Sequence, residues 1–473
     1  MGEPGRWDGV RALRYPGRSV DPTSWTARFE FELVGSGRPL RFTETLTLPP
    51  PARPPDPAAL AGLDRVLDLL YLAAGTSYYK IAAPRAVELD AVRLSEKALP
   101  WATALFRHGL AEFAYVNDLP HILELELTGG GPEPVAGPPP AGHPDGHPLV
   151  PIGGGKDSLV SVEALRAAGF APVLISVNPN ELRTGVMDLA GRPQLPVTRT
   201  LDRALFELNR AGAYNGHVPV TAINSLVAVA TAVLHGLGPV VMSNERSASV
   251  PNLGWYGHQI NHQWSKGLAA EGLLREALAA HAGLPDAYFS LLRPMSELHI
   301  ARVFARFTAY DGLVTSCNAA FRMAGRSARW CGDCPKCRFV FLVLAPFLAR
   351  PRLLGIFGAD LLADPAQLPG YRELAGVTRH KPFECVGEPA ESLAALRLVA
   401  GRTEWADAPV VRALRAEVGH PDWLPDADFA AVFRADGPTY APERYARALR
   451  ELTGAGGPPG TGDAAAGAGR AAG

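Results

Sequence analysis

Residues 149–158 read LVPIGGGKDS, and this stretch decides the predicted fold. Leu149 to Ile152 is a short apolar run, three glycines follow as a turn, and helical spacing begins at about Ser158. Further apolar strands are predicted at residues 171–177, 195–199 and 239–243. Because these strands alternate with helical segments, we predict an α/β fold with a doubly wound parallel sheet.

The region before this sheet is predicted to be a separate N-terminal α+β domain. Residues 25–48 alternate like a hairpin around a glycine break, and residues 63–73 and 100–115 have helical spacing. Between those helices, GTSYYK at residues 75–80 is interpreted as a polar aromatic turn.

Composition divides the chain into five predicted parts. A Gly/Pro-rich stretch predicts a linker, and a low-complexity end predicts a disordered tail. The parts are an N-terminal domain at 1–128, a linker at 129–147, a nucleotide domain with a cysteine cluster at 148–340, a mostly helical region at 341–453 and a tail at 454–473.

The charge balance excludes several partners. The 473 residues include 46 Lys and Arg against 47 Asp and Glu, so no global basic field favours nucleic acid. The longest apolar run, 339–349, is too short for the roughly 20 residues that span a bilayer. The N-terminus lacks the apolar core of a signal peptide, and five cysteines suit a reducing compartment. We therefore expect a cytoplasmic protein with a small-molecule substrate; the sequence does not indicate its oligomeric state.

Lysine is rare in this chain. Only six of the 46 basic residues are lysines, because arginine serves wherever a generic cation is needed. The lysines that remain are therefore favoured for specific roles, and for any single lysine chance is the alternative.

The glycine turn has the chemistry of a phosphate site. Gly153, Gly154 and Gly155 let backbone N–H groups approach a ligand, and the following helix adds partial positive charge. Lys156 supplies a cation and Ser158 a hydroxyl. A Walker loop is excluded because Val150 and Asp157 stand at its glycine and Ser/Thr positions, and Ser158 breaks the dinucleotide pattern. A glycine turn without a ligand is the alternative.

Four cysteines have the spacing of a metal site. Thiolates two residues apart can share one ion, and four complete a tetrahedral zinc site. The candidate ligands are Cys317, Cys331, Cys334 and Cys337. An iron–sulfur cluster with Cys317 as fourth ligand, or reduced cysteines without metal, are the alternatives.

Polar residues elsewhere are further candidates. Asn244, Glu245 and Arg246 follow an apolar strand and so are expected at the carboxyl edge of the sheet, where ligands of open α/β folds bind. His262 and Lys266 lie in the polar, aromatic stretch 258–266, for which a solvated loop is the alternative. Cys385 stands beside Glu384, although a lone cysteine is more often a small buried hydrophobe. Binding and ordinary packing are equally open for Tyr78, Tyr79 and Lys80.

The glycine loop resembles the Ser-Gly-Gly-x-Asp-Ser loop of the PP-loop ATP pyrophosphatases, with Gly153 in place of the first serine. This resemblance implies a HUP-like fold of the adenine nucleotide α-hydrolase type, in which the loop binds the pyrophosphate half of ATP. The cysteine segment is similar to the zinc element of 7-cyano-7-deazaguanine synthase, another PP-loop enzyme.

The order of motifs over roughly residues 8–450 is similar to that of the MurL family, the UDP-N-acetyl-α-D-muramoyl-L-alanyl-L-glutamate epimerases. The motifs are SYYK at 77–80, the glycine loop, SNERS at 243–247, NHQWSK at 261–266 and WCGDCPKCRFV at 330–340. This resemblance implies an isomerase of peptidoglycan precursor synthesis, which inverts the terminal L-Glu of UDP-MurNAc-L-Ala-L-Glu and consumes ATP with Mg.

Under this resemblance Lys156 and Asp157 act at ATP, and Gly153–Ser158 and Asn244 bind it. The acid/base groups are sought among Cys385, Glu384, Glu245 and His262, and the substrate is expected at Tyr78, Tyr79, Lys80, Arg246 and Lys266. Two other hypotheses stay open: a PP-loop enzyme that adenylates a nucleobase or tRNA, and an ATP-binding protein without catalysis.

Overall fold

The computed structural model describes residues 9–130, 146–321, 329–378, 380–418 and 424–454. Most of the predicted linker, and the predicted tail from residue 455 onward, lie outside the described residues. Among the helices in these ranges, none combines the length and apolar character needed to cross a membrane.

Ten strands form one mixed sheet, and two more form a small hairpin. The strands are β1 Val10–Asp21, β2 Thr26–Gly35, β3 Leu40–Thr47, β4 Ala86–Glu88, β5 Leu127–Thr128, β6 Leu149–Pro151, β7 Val173–Val177, β8 Gln194–Thr200, β9 Val240–Met242, β10 Leu253–Trp255, β11 His258–Ile260 and β12 Tyr288–Ser290. The order in the large sheet is β12-β9-β6-β7-β8-β3-β2-β1-β4-β5, and β10 pairs with β11.

The half of the sheet from β12 to β8 is parallel, and its strands from β12 to β7 are buried on both faces. Neighbouring residues of one strand enter opposite cores: Leu149 packs in one hydrophobic cluster and Val150 in the other. Burial on both faces is typical of parallel sheets covered by helices. The predicted α/β class and the strands expected near 171–177, 195–199 and 239–243 are thus confirmed, and β12 was not foreseen.

Helices cover both faces of this sheet and form most of the C-terminal region. They are α1 Pro57–Tyr79, α2 Leu99–Arg107, α3 Ala111–Asn117, α4 Lys156–Ala167, α5 Glu181–Ala190, α6 Arg203–Arg210, α7 Val220–Leu234, α8 Leu268–Ala277, α9 Glu297–Phe304, α10 Pro335–Leu344, α11 Arg350–Phe357, α12 Leu368–Leu374, α13 Pro389–Ala400, α14 Pro409–Val418, α15 Asp426–Val432 and α16 Glu443–Thr453.

Two local predictions for the N-terminal region are wrong. The helix predicted at 100–115 is two helices, α2 and α3, separated at residues 108–110. The turn predicted at 75–80 is the last part of α1, in which Thr76, Ser77 and both tyrosines are buried. Burial of this helix end in the core outweighs the polar, turn-like composition that suggested the break.

The N-terminal strands continue the parallel sheet. Strand β3 pairs antiparallel with β8, between Thr45–Thr47 and Thr198–Thr200. The Arg199 guanidinium donates to Glu44 at 2.6 Å across this junction, where both side chains are buried. The predicted 1–128 domain and the predicted nucleotide domain therefore share one sheet. That a domain boundary lies at residue 128 remains a prediction.

Gly75 allows α1 to lie against β1. A Cβ atom built at Gly75 would stand 2.0 Å from the Tyr15 hydroxyl oxygen. That hydroxyl is buried and donates to the Leu72 carbonyl at 2.9 Å, so it is not free to move. Close helix–strand approach here thus requires glycine.

We expect Gly75→Ala to lower the free energy of unfolding by about 1–3 kcal/mol, because the new methyl group overpacks a closed contact. Gly355→Ala is the matched control, since a Cβ there meets nothing within 4 Å and alanine favours helix by up to about 1 kcal/mol. Urea denaturation followed by circular dichroism measures both. Equal stability of the two variants would contradict the contact.

Candidate active site

The glycine loop lies between the end of β6 and the start of α4. Gly154 has φ +92°, a conformation that side chains rarely adopt, and its carbonyl accepts from Thr315 N at 2.9 Å. Gly155 precedes the first turn of α4, and a Cβ there would stand 3.4 Å from Ser316 Cβ. Within the described ranges, the N–H groups of Gly153, Gly154 and Gly155 have no protein acceptor. They are therefore available to an anion.

Lys156 is buried between two carboxylates. Its Nζ lies 2.5 Å from Asp157 Oδ1 and contacts Glu297 Oε2, at the start of α9. Burial opposes the charge, but the two carboxylates outweigh it and raise the pKa of Lys156. Burial and the neighbouring Asp157 raise the pKa of Glu297. The Ser158 hydroxyl donates back to the Gly155 carbonyl at 3.2 Å.

Three buried side chains of the candidate site carry polar atoms without hydrogen-bond partners among the described residues. Asn244, Glu245 and Lys381 are at most 6% exposed. Asn244 Nδ2, Glu245 Oε1 and Lys381 Nζ have no hydrogen-bond partner among the described residues. Burial lowers the pKa of Lys381. Unpaired buried groups cost free energy, so they indicate a ligand that completes them.

The segment 381–386 is docked on the loop that follows β9. Asn252 Nδ2 donates to the carbonyls of Lys381 at 3.2 Å and Pro382 at 2.8 Å. Gln263 Nε2 donates to the Val386 carbonyl at 3.1 Å. These bonds fix both ends of the segment and so place Cys385 on the same side as His262.

Cys385 and His262 are partly buried side chains whose charges affect one another. Nδ1 of the His262 ring contacts Glu112 Oε2, from α3. Burial opposes ionisation of the thiol, but Lys266, Lys336 and His262 outweigh it and lower the pKa of Cys385 to about 6. Burial also opposes protonation of the ring, but Cys385 and Glu112 raise the pKa of His262 to about 9. At neutral pH the pair is thiolate and imidazolium.

Lys266 joins the two halves of the site. Burial opposes its charge, but Cys385, Glu245, Glu297 and Asp157 together raise the pKa of Lys266. The charge of Lys266 therefore interacts both with the carboxylates at the glycine loop and with the Cys385 thiol.

His217 and Lys80 border the Cys385 end. The His217 ring lies 4.4 Å from that of His262, centroid to centroid. Burial, with the charges of His262, Lys266 and Lys80, lowers the pKa of His217 to about 3, so it is neutral. Lys80 Nζ donates to Asn215 Oδ1 at 2.6 Å, and burial lowers the pKa of Lys80 to about 8.

Several predicted site residues have other contacts. Tyr78 and Tyr79 are fully buried in the N-terminal core, where the Tyr78 ring stacks on Phe31 and the Tyr79 hydroxyl donates to the Pro84 carbonyl. The structure does not bring these two tyrosines to the site. Arg246 donates to the Ala431 carbonyl at 3.2 Å. Both carboxylate oxygens of Glu384 accept from Asn318, at 2.9 and 2.6 Å.

The four predicted cysteine ligands come together. Cys317, Cys331, Cys334 and Cys337 place their sulfurs within 4.8 Å of one another. Cys337 Sγ lies 3.5 Å from Cys334 Sγ and 3.7 Å from Cys331 Sγ. The Cys334 sulfur also accepts from Cys337 N at the start of α10.

Three residues of the site were not predicted from the sequence. Glu112 reads as an ordinary acidic residue in the first turn of α3, and Glu297 has the same position in α9. His217 stands in a loop without a recognisable motif. The scarcity of lysine was the one feature of the sequence that pointed to the candidate site. The lysines whose charges contribute to the electrostatics of this site are Lys80, Lys156, Lys266, Lys336 and Lys381.

Comparison with known proteins gives the class and then the family. Relatives from Salinispora tropica and Micromonospora sp. are 58% and 57% identical, each over 93% of this chain and 96% and 98% of their own. One from Xanthomonas oryzae pv. oryzae is 44% identical over 76% of this chain and 81% of its own. All three are named UDP-N-acetyl-alpha-D-muramoyl-L-alanyl-L-glutamate epimerase, so the chain is an enzyme of the isomerase class.

The descriptions MurL N-terminal domain and MurL C-terminal domain match residues 5–291 and 313–428. The chain belongs to the MurL family, which confirms the resemblance that its motifs indicated. No solved structure matches it.

We expect the Cys385 thiol to react with iodoacetamide with an apparent pKa of about 6, because its neighbours stabilise the thiolate. His262→Gln removes one of those cations and should move this pKa upward. His258→Gln, whose ring pairs with Glu124 at 2.9 Å away from the thiol, is the matched control and should leave it unchanged. Mass spectrometry of the Cys385 peptide over a pH series measures the rate; an apparent pKa near 8.5 in the unaltered chain would contradict the pairing.

Proposed function

We propose that this enzyme inverts the terminal L-Glu of UDP-MurNAc-L-Ala-L-Glu to D-Glu, driven by ATP, in peptidoglycan precursor synthesis. The names of the relatives support the reaction and its substrate. The observation that supports the ATP-dependent part is a glycine loop whose N–H groups have no acceptor among the described residues, with the charge of Lys266 acting on both this loop's carboxylates and Cys385. The reaction is expected in the cytoplasm.

The chemistry explains why ATP is needed. A carboxylate makes its neighbouring Cα–H very hard to remove, because the anion formed would place a second negative charge beside the first. Adenylation replaces the carboxylate by an acyl phosphate anhydride, which can accept the electron pair from Cα. The Cα proton then comes within the range of an ordinary protein base.

Adenylation suits the loop end of the site. A carboxylate oxygen of the substrate attacks the α-phosphorus of ATP, the bond to the β-phosphate oxygen breaks, and diphosphate leaves. The N–H groups of Gly153–Gly155 would hold the diphosphate in the manner of a PP-loop fold, while Lys156 offsets the Asp157 and Glu297 carboxylates that would otherwise repel it. Asn244 Nδ2 is a buried donor with no hydrogen-bond partner among the described residues, and it would serve the nucleotide. Water later hydrolyses the acyl adenylate to the D-Glu carboxylate and AMP.

Magnesium fits beside this loop. The Asp157 side chain is 29% exposed and offers the oxygen ligands that Mg²⁺ prefers. Bound there, the ion would supply positive charge against the triphosphate.

The substrate has two phosphates and two carboxylates, and the site offers cations for them. Lys381 Nζ is buried without a partner among described residues, and Lys80 and Lys266 lie toward Cys385. Because Lys80 and Glu112 belong to the N-terminal region, the substrate cleft would lie between that region and the parallel sheet.

The cysteine cluster fits a structural zinc ion. Four thiolates around zinc at about 2.3 Å form a tetrahedron with sulfurs about 3.8 Å apart, close to the observed sulfur separations. Four protein ligands leave no open position, so the ion would stabilise the segment before α10 and not catalyse.

With ATP, Mg and the UDP-dipeptide, we expect AMP, diphosphate and D-Glu, the last measured by chiral chromatography after hydrolysis. Lys156→Ala should lower AMP release by at least about 100-fold, because it leaves the Asp157 and Glu297 carboxylates without their cation beside the developing negative charge. Lys97→Ala, on the exposed surface, is the matched control. Full AMP release by Lys156→Ala would reject the loop assignment, and AMP release with tRNA but not the dipeptide would favour the rival PP-loop function.

Purified protein should contain about one zinc ion per chain, measured by plasma mass spectrometry. Cys334→Ser removes one ligand and should lose most of that zinc and melt at lower temperature. Cys385→Ser should keep the ion, because Cys385 is outside the cluster. Iron with sulfide would identify an iron–sulfur cluster instead, and metal-free protein would exclude both.

A further inference from the structure

The side chain of Asn318 bridges two charged groups of opposite sign. Its Nδ2 donates to both carboxylate oxygens of Glu384, at 2.9 and 2.6 Å. Its Oδ1 accepts from the Lys336 ammonium group at 3.4 Å. An amide suits this place because it offers a donor group to the carboxylate and an acceptor to the ammonium at once.

We propose that Asn318 is a positioning residue for the proposed reaction. Through Glu384 it fixes the segment 381–386 relative to the cysteine cluster, and so sets the position of Lys381 for the substrate. This inference rests on the proposed function, since the position of the segment affects the reaction only if the substrate binds beside it.

The segment 381–386 needs an attachment between its ends. Asn252 and Gln263 bind only the backbone carbonyls near its two ends. The Glu384 N–H group donates to the Pro382 carbonyl at 2.8 Å, so the chain turns tightly just before Cys385. The bonds from Asn318 to the Glu384 carboxylate hold the segment at this turn.

Asn318 projects from a part of the chain that is fixed by other contacts. The N–H group of Cys317 donates to Thr315 Oγ1 at 3.2 Å, and that hydroxyl donates to the Arg329 carbonyl at 2.6 Å. Thr315 N in turn donates to the Gly154 carbonyl at 2.9 Å, and Thr315 and Cys317 are fully buried. These bonds do not involve the Asn318 side chain, so they remain when that side chain is changed.

Lys336 comes from the other side of the cysteine cluster. It lies in the first turn of α10, between Cys334 and Cys337 in the sequence. Asn318 directly follows Cys317. The bridge therefore starts from both parts of the cluster and ends at Glu384, which makes the cluster the base on which the segment 381–386 is positioned.

The position of the segment matters because it carries Lys381. That residue is 6% exposed, and its Nζ has no hydrogen-bond partner within the described ranges. A buried ammonium group without a partner costs free energy, so a substrate anion would complete it. Misplacing such a group by about 1 Å can cost about 100-fold in rate.

Asn318→Asp places two carboxylates against each other and should push Glu384 away from the cluster. We expect the KM for the UDP-dipeptide, measured from AMP release at saturating ATP and Mg, to rise by at least about 10-fold, with the KM for ATP within about 2-fold of its original value. The KM for ATP should hold because Thr315 contacts Gly154 through its backbone. Asn318→Ala removes both bonds without adding charge, and it should raise the same KM if Asn318→Asp does not fold.

Combining Asn318→Asp with Glu384→Gln tests the contact itself. The new amide at position 384 can donate to the new carboxylate at position 318, which still accepts from Lys336, and the net charge of the chain is unchanged. The KM for the UDP-dipeptide should therefore return to within about 3-fold of its original value. A general loss of packing at position 318 would not be repaired by a second substitution.

Thermal melting followed by circular dichroism shows that each variant is folded before its KM values are compared. Three results would overturn the inference: an unchanged KM for the UDP-dipeptide in Asn318→Asp, an equal rise in both KM values, or a double variant that keeps the KM of Asn318→Asp. Absence of AMP release from the unaltered enzyme with the UDP-dipeptide would instead reject the proposed function.

Discussion

Neutralisation of buried charge is the constraint on which this structure depends. Lys156 reaches into the protein between Asp157 and Glu297, and this contact ties the start of α4 to the start of α9. A buried ammonium without carboxylates would cost several kcal/mol, so the loop, the two helices and their charges have to form together. The glycine loop is thus held open for an anion while its lysine is already paired.

Opposite charges also face one another beyond the glycine loop. Lys266 lies among carboxylates on one side and the Cys385 thiol on the other, and the thiol faces the imidazolium of His262. Opposite charges therefore alternate from the glycine loop to His262.

The N-terminal region contributes side chains to this site. Strand β3 extends the parallel sheet through its pairing with β8, which places α3 and the end of α1 beside the loop after β11. Glu112 and Lys80 reach the site in this way. The C-terminal region enters from the other side, because Asn252 and Gln263 bind the backbone around Cys385.

The sequence by itself determined the strand–glycine loop–helix unit, the parallel sheet, the four converging cysteines and the importance of rare lysines, since these depend on local pattern and composition. Only the tertiary structure decided that Tyr78 and Tyr79 belong to the core, because burial of the end of α1 outweighs its polar composition. It also decided that Glu112 and Glu297 belong to the site. A carboxylate in the first turn of a helix looks the same in sequence whether it faces water or a buried cation, and that difference arises only when distant segments pack together.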